Sequence, residues 1–172
     1  MSSIFQQTPK MMIKSLKTTL NLLDILEVFI QDNGKSEKEL LSAKLSEDMF
    51  PFVKQIQMIS DNAKGLVSRI TNSPAPKYED YETTIIELKE RINLTIEYVN
   101  SIPLENFSES INHKITLPFI PGKYQTALDY VTDYGLPNLY FHVVVAYSIL
   151  RNSGVKLKKM DYINGLNLQD IE

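Results

Sequence analysis

Hydrophobic residues recur every third or fourth position over four long stretches of the chain, the signature of amphipathic helices. In the first, between about Thr8 and Ile30, Met12, Leu16, Leu20, Leu23 and Leu26 (or Val28) form one stripe. Thr8 is placed to cap that helix with Pro9 in its first turn, and Asn33-Gly34 supplies a stop. The segment SEKELLSAKL predicts a short connecting helix. The second long stretch follows SEDMFPF, with Asp48 placed as its cap and Pro51 in the first turn. Val53, Ile56, Ile59 or Ser60, Ala63, Val67 and Ile70 then trace one face as far as the loop NSPAP. The third, from about Tyr81 to Ile102, carries Ile85, Leu88, Ile92, Ile96 and Val99, and leaves Glu87, Lys89, Glu90 and Arg91 on a solvated side.

HKITLPFIPGKYQT comes next. Ile115, Leu117 and Phe119 alternate with polar or turn residues, and Pro121-Gly122 suits a type II turn, so a small hairpin or irregular flap is expected. Thr126 can cap ALDYVTDY, and Gly135-Leu136-Pro137 should break or kink that helix. The fourth stretch, PNLYFHVVVAYSILR, is apolar on every side. Val143, Val144 and Val145 favour a strand, but Leu139 to Leu150 is twice a typical strand and ends at Asn152-Ser153-Gly154, so it reads as a helix. A helix apolar all round belongs in the core or at a subunit contact. The tail from about Val155 onward reads as irregular, with Lys156, Lys158 and Lys159 solvated.

Composition narrows the function classes. At 172 residues the chain has the length of one helical domain. A net charge of −3 gives no basic footprint for nucleic acid. With no cysteine, disulfides, thiolate metal sites and a cysteine nucleophile are excluded. The opening MSSIFQQTPKMMIKSL is too polar for a signal peptide and no later run has the length of a membrane span, so the expectation is a cytoplasmic protein that does not engage a membrane.

Catalytic motifs are absent: no Gly-rich phosphate loop, no HExxH, no GxSxG. Of the two histidines, His113 sits among polar residues of the flap, whereas His142 interrupts the apolar fourth helix. Asn138, four residues earlier, shares the face of His142. On the second long helix Gln57, Asp61 and Lys64 stand at helical spacing and can face the imidazole. Two readings follow. Gln57, Asp61 and Asn138 satisfy a buried histidine in a polar core network, or the same residues line a substrate site with His142 as general base and Asp61 orienting it.

DMFPFVKQIQMISDNAKGLVSRI, LPNLYFHVVVAYSILRNSGV and KKMDYI resemble a family of uncharacterised bacterial and fungal proteins in the DinB/YfiT-like superfamily of metalloenzymes. The resemblance implies an all-α, DinB-like four-helix bundle with the small flap before the last long helix, commonly a homodimer. In metal-binding members three histidines hold nickel or zinc, one from the second helix and two from an HxxxH pair. Aligning ILRNSG with the end of that pair puts His142 on its second histidine and Asn138 on its first. Gln57 is matched to the remaining one, with Gln55 as the alternative. Amide oxygens are poor donors for nickel or zinc, so the resemblance leaves a degenerate metal site around His142 and an expectation of no cofactor. The functions it leaves open are a small-molecule-binding or enzyme-related bundle, a non-catalytic homodimeric module, and a metal-dependent thiol S-transferase.

Overall fold

The four periodic stretches are helices in the computed structural model, which describes residues 4–108 and 113–171. They are α1 (Ile4–Asn33), α3 (Phe52–Thr71), α4 (Ile85–Ser101) and α7 (Leu136–Asn152). Short pieces join them: α2 (Glu37–Ser42), α5 (Leu104–Ser108), α6 (Ala127–Asp129) and, after α7, α8 (Lys159–Ile163). α3 packs on α4 and α7, and α1 packs on the same two, so the long helices close a ring around one apolar core. The architecture is the expected all-α four-helix bundle. The flap is present as two-residue strands, β1 (Lys114–Ile115) and β2 (Gln125–Thr126), paired antiparallel with Lys114 opposite Thr126.

Several boundaries differ from the sequence expectation. α1 begins at Ile4, so Thr8 is inside it, buried, and donates its hydroxyl to the Ile4 carbonyl at 2.8 Å instead of capping. Pro9 is therefore internal and removes only the backbone bond of one early turn. Asp48 is not a cap either: α3 starts directly after Pro51, whose extended backbone turns the chain into the helix. α4 starts later than expected because Thr84 and Glu87 form a capping box there. The tail is ordered against the bundle: Asn21 Nδ2 donates to the Asp161 carbonyl at 3.0 Å and Thr18 Oγ1 to that of Tyr162 at 3.1 Å.

The break expected at Gly135 takes the form of a π-helical turn, Tyr130–Gly135, that feeds straight into α7 with Pro137 in its first turn. Such a turn inserts a residue without stopping the helix. Gly135 lies where α7 presses on α3: a methyl there would collide with Leu66 Cδ1 and stand 3.3 Å from the Tyr130 carbonyl oxygen. Leu66 is core and cannot move aside. Gly65, by contrast, would meet only the flexible guanidinium of Arg69. Gly135→Ala should therefore destabilise by about 1–3 kcal/mol through overpacking, while Gly65→Ala is neutral or gains up to about 1 kcal/mol from helix propensity. Urea unfolding of the two variants checks this, and equal effects would contradict the close approach.

Candidate functional site

His142 is buried on the α3 side of α7. Its Nδ1 lies 2.7 Å from Gln55 Oε1. The Gln55 amide nitrogen is already donating to the Phe50 carbonyl at 3.0 Å, so its oxygen is the acceptor and His142 Nδ1 carries the proton. The ring is thereby held in the Nδ1–H tautomer with a lone pair on Nε2. Nε2 has no hydrogen-bond partner among the described residues and is not among the atoms sealed from solvent. Burial lowers the pKa of His142, so the imidazole is neutral near pH 7. One turn earlier, Asn138 Nδ2 donates to Asn62 Oδ1 at 2.9 Å, and the buried Asn62 Nδ2 has no partner. The α3–α7 seam is thus lined by neutral amides and one imidazole.

Gln55 and not Gln57 reaches the histidine. Both are buried, at 1% and 4% exposure, but two residues along a helix turn the side chain by about 200°. Gln55 and Asn62, seven residues apart, share the face toward α7. Gln57, Asp61 and Lys64 share the opposite one, toward α4. There Gln57 Nε2 donates to Glu82 Oε2 at 2.9 Å. The structure brings Asn138 and His142 to one seam and sends Gln57 and Asp61 to another, so the four residues do not line a common pocket.

The second network centres on Arg91, which is 3% exposed where a solvated residue was expected. Its guanidinium donates to Glu82 at 2.8 Å, Asp61 at 2.9 Å and the Glu79 carbonyl at 3.1 Å, and pairs with Asp80 at 3.1 Å. Burial alone would lower its pKa, but the bond to Glu82 and the charges of Asp61 and Glu82 raise it. Lys54 pairs with Asp80 and Lys64 with Asp61, so three cations face three carboxylates. Lys64 also donates to the Pro76 carbonyl and stands over the Tyr78 ring at 3.7 Å. These bonds clasp the 72–84 loop across α3 and α4. An uncompensated charge here would cost about 3–5 kcal/mol, which explains the close matching. Neither Arg91 nor Glu82 stood out in the sequence, since a charge on a helical stripe signals solvent unless its partners are known.

His113 has a structural place. Its Nδ1 donates to the Ile70 carbonyl at 2.8 Å and ties the flap to the end of α3.

A nickel or zinc ion does not fit the residues at the position where the sequence resemblance implied a metal. His142 supplies one imidazole nitrogen, Asn138 and Gln55 offer neutral amides already in use, and Asp61 is turned away onto Arg91. No group of three or more His, Asp or Glu among the described residues could hold a metal ion. Nor is any described helix long and apolar enough to cross a membrane.

Comparison with known proteins agrees with the fold. Residues 4–163 match the family described as a domain of unknown function, DUF1993. A crystal structure of a DinB family member from Shewanella denitrificans is similar over 98% of this chain and 96% of its own, with 32% identity and a TM-score of 0.93. No curated protein matches.

The lowered pKa of His142 has a thermodynamic consequence. As pH falls below about 6.5 the unfolded chain takes up a proton on this residue before the folded chain does, so stability declines there and levels off once the folded imidazole is also protonated. Urea unfolding from about pH 7.5 to 5.5 should show this decline in the wild type and a flatter profile in His142→Leu. Parallel profiles would contradict a neutral, buried imidazole.

Proposed function

The chain belongs to the DUF1993 family, whose function is unknown, and we propose that it is a small-molecule-binding helical bundle. In this reading the superfamily's metal position has become a neutral hydrogen-bonding seam around His142. The observation that carries it is the Gln55–His142 bond, which leaves the Nε2 lone pair free. A neutral imidazole held this way accepts a hydrogen bond from a ligand hydroxyl or amide, or takes a proton from it as a general base. Gln55 does the orienting first assigned to Asp61. The unpartnered Asn62 amide beside Asn138 is sealed from solvent, so in this reading the ligand contact is made at His142 Nε2. Gln57 and Asp61 contribute at a distance, by holding α3 in place from its other side. Thiol-transfer chemistry on a metal is set aside because the donor set is one imidazole and amides.

A homodimeric module is the second reading. It is favoured by Phe141 and Val144, which stand 54% and 44% exposed on the outer side of α7. A clean monomer by light scattering at micromolar concentration removes it.

The experiment for the first reading is a panel of small neutral alcohols and amides, followed by the side-chain nitrogen signals of His142 and Asn138. Saturable shifts that disappear in His142→Leu are expected. A parallel titration of untagged protein with nickel or zinc should show no stoichiometric uptake. A panel without binders, or metal uptake that depends on His142, contradicts the proposal.

A further inference from the structure

A groove of about 510 Å³ runs between α1, α7 and the chain that follows α8. That is the size of a small-molecule site. It lies on the α1 side of α7, away from the seam with α3, and so goes beyond the reading above. Met11, Val143, Ile163 and Leu166 line it with apolar surface. Two of its hydroxyls are engaged with backbone: Ser15 donates to the Met11 carbonyl at 3.2 Å and Thr18 to the Tyr162 carbonyl at 3.1 Å.

Charge along the groove has one sign. Lys10 and Lys14, one helical turn apart on α1, line it, and no Asp or Glu does. Neither lysine has a carboxylate partner among the described residues. Lys14 instead donates to the carbonyls of Asn164 at 2.6 Å and Gly165 at 2.5 Å. Those two residues have positive φ, 50° and 86°, and reverse the chain so that Leu166 reaches the groove. Leu166 remains 63% exposed, so the wall it forms is open to an apolar chain.

We infer that this groove binds an amphipathic carboxylate of the medium-chain fatty acid class. The alkyl chain lies against Met11, Val143 and Leu166, and the carboxylate meets the ammonium of Lys10 and the one N–H of Lys14 that the Asn164 and Gly165 carbonyls leave over. An apolar ligand without charge leaves Lys10 without a counter-charge, and a cationic one is repelled by both lysines. A strongly polar ligand finds no free side-chain hydroxyl at Ser15 or Thr18.

Calorimetric titration of the untagged full chain with decanoate, kept below its micelle concentration, tests this. Saturable one-to-one binding is expected, tightening roughly fourfold for each methylene from hexanoate upward. Decanol should bind about tenfold more weakly. Lys10→Glu should weaken decanoate about tenfold and leave decanol unchanged, and Leu166→Asp should abolish decanoate binding. Both residues are exposed, so circular dichroism should report an unchanged fold. Non-saturating uptake, equal affinity for decanol and decanoate, or indifference to Leu166→Asp would each overturn the assignment. So would a dimer that Leu166→Asp dissociates, because a second copy of the chain would then fill the groove.

Discussion

α3 is buried on two opposite sides, and each side carries polar groups that the interior must satisfy. Most of what distinguishes this bundle follows from that constraint. A buried amide, imidazole or charge without a partner costs free energy comparable to a large core substitution. Toward α4 the solution is ionic: Arg91 gathers Asp61, Asp80 and Glu82 and thereby fastens a long loop over the helix pair. Toward α7 it is neutral, with Gln55 on His142 and Asn62 on Asn138. The two solutions do not exchange partners, because the helix itself separates them.

That separation decides what His142 can do. A carboxylate beside the ring would favour the imidazolium, whereas the Gln55 oxygen fixes a tautomer without adding charge. The result is a neutral base with an open nitrogen on a seam of amides, suited to hydrogen bonding with a polar ligand. The other flank of α7 has a different character, apolar with two lysines, and takes a different kind of molecule. One apolar helix thus separates a polar seam from an amphipathic groove.

The fold was legible because it rests on long periodic stripes, and His142 was legible because an imidazole in an apolar run needs a partner. The identity of that partner was not. Gln55 and Gln57 both flank the stripe, and on a helix buried from two sides the burial pattern does not choose between phases about 200° apart. Resemblance to a three-histidine site pointed to Gln57, and the choice of Asp61 followed from its spacing. Arg91 was misread for a related reason: its partners lie in the 72–84 loop and on α3, outside its own helix, and helical periodicity carries no information about them. The docking of the tail through Asn21 and Thr18 was hidden likewise, since those bonds go to backbone carbonyls that any sequence possesses.

The claim that α3 carries two independent polar faces is tested most directly by side-chain nitrogen NMR of His142 in wild type, Asp61→Asn and Gln55→Leu proteins. The account predicts an Nδ1–H tautomer in the wild type, unmoved by Asp61→Asn and altered by Gln55→Leu. A His142 signal that shifts with Asp61 and ignores Gln55 would contradict it.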